Sequence, residues 1–107
     1  MKLAAIDVGS NSIHLMIVRV LPDHSCETIY KDKAMVRLGA GTFRRGQLSA
    51  AAQQRAFRVL ERFARVIATF KVDDTVGVAT SAVREASNGL EFLREVRRRT
   101  GLRIHRI

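Results

Sequence analysis

The 107-residue sequence contains one cysteine, one proline and no tryptophan. A single cysteine, Cys26, cannot form an internal disulfide, and no further ligands stand near it at the spacing of a zinc site. With 47% hydrophobic residues and so little proline, the composition is that of a folded domain, not of a disordered chain. The scarcity of cysteine favours a reducing compartment, and we expect a cytoplasmic protein.

Long apolar runs are also absent. The longest run near the start, Leu3–Val8, is interrupted by Asp7, and none approaches the roughly 20 residues that a membrane-spanning helix needs. The sequence therefore predicts neither membrane insertion nor secretion.

Acidic residues are outnumbered, because 10 Asp and Glu stand against 19 Lys and Arg, which gives a formal charge of +9. Only four of the basic residues are Lys. The planar fork of Arg matches phosphate oxygens best, so this charge predicts a polyanionic partner. Nucleic acid, a phosphate polymer and a phosphorylated nucleotide all fit the charge, and a non-catalytic polyanion- or nucleic-acid-binding module is one alternative.

The pattern of apolar and turn residues predicts three strands, a helix, a strand, a second helix and a last strand. The predicted elements are strands Leu3–Val8, Ile13–Leu21 and Cys26–Leu38, a loop over 39–46, an amphipathic helix capped by Ser49, strand Asp74–Ala79, a helix capped by Ser87 or Asn88 and ended by Gly101, and strand Leu102–Ile107. This order favours an α/β fold with a mixed sheet.

No helix follows the last strand, so one face of the predicted sheet lacks a covering layer. We therefore expect residues 1–107 to be part of a larger unit. The uncovered apolar surface predicts self-association, with a homodimer as one form of it.

The segment 7–12, Asp-Val-Gly-Ser-Asn-Ser, places a carboxylate at the end of the first strand and small residues in the following turn. Such a turn can present backbone N–H groups to phosphate oxygens, while the carboxylate holds a divalent cation. The alternative is an ordinary hairpin in which Asp7 and Asn11 bond their own backbone.

The segment 79–86, Ala-Thr-Ser-Ala-Val-Arg-Glu-Ala, places two hydroxyls where a strand gives way to a helix. Hydroxyl, amide and guanidinium groups at such a position can bind a phosphate. The alternative is a helix cap followed by an Arg84 that pairs with a neighbouring acid. Because the carboxyl ends of neighbouring strands meet at one crevice, the segments 7–12 and 79–86 are expected to face each other.

Few aromatic side chains are available to stack on bases. Phe57, Phe63, Phe70 and Phe92 stand at core spacing, and Phe43, between Thr42 and Arg44, is the exception. His14, His24 and His105 have no partners at metal spacing, and Cys26 is expected to be a small buried side chain.

Four segments occur in the order 5–12, 37–39, 46–49 and 79–89. Together they resemble the exopolyphosphatases and guanosine pentaphosphate phosphohydrolases. The turn at 7–12 alone is shared with sugar kinases, Hsp70 and actin, whereas the combination is specific. The resemblance implies the ribonuclease-H-like mixed sheet of an actin-like ATPase domain, truncated here to the N-terminal part of the first lobe.

The reaction that the resemblance implies is hydrolysis of the terminal phosphoanhydride bond of inorganic polyphosphate or guanosine pentaphosphate with Mg²⁺. It also implies a second lobe, a catalytic glutamate in an Ile-Ser-Gly-x-Glu-Glu-Ala segment and a second phosphate loop, Asp-x-Gly-Gly-Gly-Ser. Neither motif is in this sequence. The isolated chain is therefore expected to be inactive, and the preferred substrate stays open.

Carried over residue by residue, the resemblance assigns a catalytic and metal-binding role to Asp7. It assigns phosphate binding to Gly9, Ser10, Asn11, Ser12, Thr80, Ser81 and Arg84. Arg37 and the pair Arg44 and Arg45 are expected to contact the rest of a long anion.

Two other enzymes share this fold. A ribonuclease-H-like nuclease needs several carboxylates around two metals, one of them near the end of the fourth strand, where this sequence reads Ala79-Thr80-Ser81. A sugar kinase shares the first turn but not the segment 79–89. Both are disfavoured.

Overall fold

The computed structural model describes residues 1–107 as a five-stranded sheet with helices against one of its faces. Its elements are β1 (Lys2–Val8), β2 (Ser12–Val20), β3 (Cys26–Met35), α1 (Thr42–Arg45), α2 (Ala50–Phe70), β4 (Asp74–Ala79), α3 (Ser81–Glu85), α4 (Gly89–Thr100) and β5 (Ile104–Arg106). None of the helices combines the length and the hydropathy that crossing a membrane requires.

The strands lie in the order β3-β2-β1-β4-β5. The pairs β1–β2 and β2–β3 are antiparallel, and the pairs β1–β4 and β4–β5 are parallel. This is the mixed sheet with an antiparallel edge that the sequence predicts. Because β1 and β4 run in parallel, their last residues, Val8 and Ala79, are direct neighbours in the sheet.

The two faces of the sheet differ sharply. Along β1, Ala4, Ile6 and Val8 are buried, while Ala5 and Asp7 between them are exposed, because side chains alternate across a strand. The buried face packs against the apolar stripe of α2, whose members recur every three or four residues: Ala52, Ala56, Leu60, Phe63 and Ile67. We call the other side the open face, and Asp7 lies on it.

Three local features differ from the expectations. Strand β3 ends at Met35 and not at Leu38, because Arg37 adopts the left-handed φ of 57° and turns the chain. The loop over 39–46 contains the four-residue helix α1, with Gly41 and Gly46 in left-handed conformations at its two ends. Strand β5 keeps only three of the six residues in Leu102–Ile107.

Cys26 is exposed, which corrects the expectation of a buried thiol. It is the first residue of β3, an edge strand, and is paired with Val20. The first three residues of β3 are all exposed, so this small apolar side chain stays in contact with water.

The two predicted helix caps also differ from each other. The Ser49 hydroxyl accepts a hydrogen bond from the Ala52 N–H at 3.1 Å, which confirms this residue as the cap of α2. Asn88 precedes α4 without capping it through its side chain. Its amide instead bonds both backbone groups of Leu48, at 2.8 and 3.0 Å, and so ties α4 to the segment before α2.

Candidate phosphate site at the carboxyl ends of β1 and β4

The segments that follow β1 and β4 lie side by side. The Thr80 N–H donates to the Val8 carbonyl at 3.1 Å, so the chain leaves β4 next to the end of β1. Two residues further along each segment, the Ser10 hydroxyl accepts a hydrogen bond from the Ala82 N–H at 3.2 Å. The structure therefore brings together the two segments that the sequence predicts to face each other.

The turn 9–12 has a fixed backbone. The Gly9 N–H donates to the Ser12 carbonyl at 3.0 Å, and a Cβ at Gly9 would lie 3.1 Å from that same oxygen. The Asn11 carbonyl accepts from the N–H groups of Val36 and Arg37, at 3.0 and 2.9 Å. Several backbone bonds thus hold this turn in one conformation, which is the first requirement of a preorganised anion site.

Four backbone N–H groups beside this junction have no acceptor within the chain. They are the N–H groups of Ser10, Asn11, Ser81 and Val83, two from each segment. The N–H of Gly9, expected to bind phosphate, is instead used inside the turn, and Ser12 is buried at the start of β2. Free N–H groups in two neighbouring segments are donors that an anion's oxygens can use.

The hydroxyl of Thr80 makes no capping bond to α3. Thr80 and Ser81 are both partly buried. Both residues directly follow β4, in the same segment as two of the free N–H groups. Phosphate binding by their hydroxyls stays a prediction.

Arg84 has partners of its own. Its guanidinium donates to the Ile107 carbonyl at 3.0 Å and lies 3.4 Å from a Glu85 carboxylate oxygen. The side chain is half exposed, with a relative accessibility of 50%. Arg84 thus lies beside a neighbouring acid, which is the alternative that the sequence offered for this residue. An anion that binds Arg84 would have to compete with this ion pair, which is exposed and therefore contributes little free energy in water.

Asp7 lies on the open face, with His14 of β2 and Val78 of β4 as its neighbours in register. No cationic side chain lies within 4.0 Å of its carboxylate. No group of three or more His, Cys, Asp or Glu side chains surrounds a common point in the structure. A lone carboxylate fits Mg²⁺, which takes one or two carboxylates together with water and substrate oxygens.

The arginines near the junction differ from those on α4 in their ion pairs. Arg37, Arg44 and Arg45 are exposed and form no salt bridge. In α4, by contrast, hydrogen bonds from Arg98 and Arg99 lower the pKa of Glu95 to about 2. Two of the four arginines of α4 are therefore paired with acids, whereas the three arginines near the turn 9–12 have no acidic partner.

Sequence reasoning missed the role of Gly39. Its N–H donates to the Ser10 carbonyl at 2.8 Å, and a Cβ on Gly39 would lie 3.2 Å from the Ser10 Cβ. A larger residue at this position would push the Ser10 side chain away by a few tenths of an ångström. The glycine in the segment 37–39 was the one sign in the sequence of a close contact there. Its partner, Ser10, is 29 positions away in the chain, so no local sequence pattern identifies it.

The chain matches known proteins over nearly its whole length. Residues 16–107 match the model of the Ppx/GppA phosphatase family. Exopolyphosphatase 1 of Mycobacterium leprae is 32% identical over 104 residues, which make up 97% of this chain and 31% of that protein.

Two crystal structures are similar to the whole chain. The Ppx/GppA family member of Aquifex aeolicus superposes with a TM-score of 0.95 at 34% identity, over 100% of this chain and 35% of that one. An exopolyphosphatase of Cytophaga hutchinsonii gives 0.95 at 27% identity, over 100% and 34%. This chain thus spans about a third of the length of these relatives. With its actin-like ATPase fold, it belongs to the Ppx/GppA phosphatase family.

Proposed function

We propose that this chain is the phosphate- and metal-binding part of an enzyme that hydrolyses the terminal phosphoanhydride bond of inorganic polyphosphate or guanosine pentaphosphate. The observation that carries the proposal is the set of four unpaired N–H groups at the junction of β1 and β4. The carboxylate of Asp7 lies near the end of β1, beside this junction. Family membership and the exopolyphosphatase names of the relatives support the same reaction.

Each part of the junction has a distinct task. The N–H groups of Ser10 and Asn11 bind oxygens of the terminal phosphate, and those of Ser81 and Val83 bind it from the side of α3. The hydroxyls of Thr80 and Ser81 add donors that can rotate to suit the phosphoryl geometry. Because the turn is already held by its backbone bonds, little ordering is needed when the substrate binds, and the donors stay aimed at the charge of the transition state.

Asp7 would hold Mg²⁺ in this enzyme. When bound, the ion supplies positive charge to the phosphoryl oxygens and so stabilises the transition state of phosphoryl transfer. The chain's own contribution is a carboxylate without a competing cation within 4.0 Å, on a strand whose backbone is paired on both sides.

A non-catalytic polyanion-binding module is the alternative supported by the net charge of +9. In that case the affinity for a polyanion would depend on the arginines of α2 and α4, and not on the residues of the junction. Phe57, Phe63 and Phe92 are buried, so three of the five phenylalanines have no ring face for nucleic-acid bases. The two functions can be distinguished by replacing an arginine at the junction and an arginine on α4 and comparing the losses of polyphosphate affinity.

We expect Arg84→Ala to weaken the binding of a polyphosphate of defined length about tenfold, since a charge-assisted bond to phosphate is lost. Arg98→Ala is the matched control, because Arg98 is also an exposed arginine paired with one acid, Glu95, but lies on α4. It should change the dissociation constant less than twofold. Titration calorimetry at fixed ionic strength makes the comparison, and equal losses for both variants would favour the polyanion-binding module.

A further inference from the structure

Phe43 is the one phenylalanine whose ring lies mainly in water. Its relative accessibility is 60%, whereas Phe57, Phe63 and Phe92 are between 0% and 4% exposed. The backbone that carries this ring is nevertheless fixed by contacts of the preceding residue. Its neighbour Thr42 is buried, and the Thr42 hydroxyl donates to the Leu38 carbonyl.

The edge of this ring reaches the turn 9–12. A Cβ at Gly39 would lie 3.3 Å from the Phe43 Cε2 and 3.2 Å from the Ser10 Cβ, so Gly39 is enclosed between the two side chains. The Gly39 N–H also donates to the Ser10 carbonyl at 2.8 Å. Only Gly39 therefore separates the exposed ring of Phe43 from the turn 9–12, to which the proposed function assigns the terminal phosphate.

We propose that Phe43 is the residue that binds the base of a nucleoside polyphosphate whose phosphate chain is held at the turn 9–12. This inference rests on the proposed function of that turn. The base stacks on the exposed face of the ring, while Arg44 and Arg45, which form no salt bridge, lie beside it in the chain and meet the phosphates. Phe43 would thus favour a nucleotide over inorganic polyphosphate.

The chemistry of the two substrate classes explains this selectivity. Inorganic polyphosphate presents only anionic oxygens, and the face of an aromatic ring carries partial negative charge, so polyphosphate gains nothing from Phe43. A purine has a π-face, and stacking of a base on an aromatic side chain is worth about 1–3 kcal/mol in nucleic-acid complexes.

GTP and inorganic tripolyphosphate are the matched ligands, since both carry three linked phosphates and only GTP carries a nucleoside. The 107-residue chain is titrated with each in the presence of Mg²⁺. Phe43→Leu removes the ring but keeps an apolar side chain beside Gly39. We expect it to weaken GTP binding about tenfold, as the loss of one stacked base predicts, and to change tripolyphosphate binding less than twofold.

Two further variants serve as controls. Phe43→Trp restores a larger stacking surface and should bind GTP at least as tightly as the unaltered chain. Val76→Ala shortens another exposed apolar side chain, 55% accessible on the open face, and should leave both affinities unchanged.

Each remaining outcome overturns the inference. Equal losses for GTP and tripolyphosphate in Phe43→Leu would show that the ring only supports Gly39 and the turn. Unchanged GTP binding in that variant would show that the base lies elsewhere, with the phosphate site still standing. If the unaltered chain binds neither ligand, the phosphate site fails and the inference fails with it.

Discussion

Replacing Asp7 by Asn is expected to lower phosphate release from polyphosphate about a hundred- to a thousandfold in a Ppx/GppA phosphatase that contains this chain. The change removes the one negative charge that would hold Mg²⁺ against the substrate, and a metal ion supplies several kcal/mol of transition-state stabilisation. The measurement is turnover at saturating substrate over a range of Mg²⁺ concentrations.

The fold should not change in this variant, because the Asp7 side chain is exposed and forms no salt bridge. Asp74→Asn is the matched control, since Asp74 is an exposed aspartate at the opposite end of the neighbouring parallel strand β4. Its turnover should stay within a factor of two. Unchanged turnover of Asp7→Asn at saturating Mg²⁺ would remove Asp7 from the site.

The second large effect concerns Gly89, the first residue of α4. A Cβ at this position would lie 2.0 Å from the Val83 carbonyl oxygen, which belongs to the backbone of α3 and cannot rotate away. Gly89→Ala should therefore lower the free energy of unfolding by about 3 kcal/mol, through overpacking. Thermal unfolding should show a fall of more than about 10 °C in the melting temperature.

Gly46→Ala is the control for this effect. Gly46 has a φ of 77°, and no atom lies within 4 Å of a Cβ built there, so alanine meets backbone strain without a clash. We expect a loss of about 1 kcal/mol. A Gly89→Ala variant as stable as the Gly46→Ala variant would mean that α3 and α4 are free to move apart.

Much of the fold follows from local patterns. The alternation of apolar and polar residues along β1 and the apolar stripe of α2 were enough to predict a mixed α/β sheet. The junction itself follows from a general rule, since a small-residue turn after β1 and hydroxyls after β4 must meet if the two strands are parallel neighbours.

The features that sequence reasoning missed depend on contacts between distant parts of the chain. Arg37 takes a left-handed conformation while its N–H bonds the Asn11 carbonyl, and Asn88 bonds Leu48 instead of capping α4. Cys26 is exposed at the start of the edge strand β3. No local propensity encodes these partners, so these details had to come from the structure.

The central claim is that the chain binds phosphate at the junction of β1 and β4 through specific backbone N–H groups. An amide-resolved NMR titration of the 107-residue chain with inorganic tripolyphosphate tests it most directly. We expect the largest shifts at the N–H groups of Ser10, Asn11, Ser81 and Val83, with Arg97 and its neighbours on α4 little changed. Shifts spread along α2 and α4, with those four N–H groups unmoved, would contradict it.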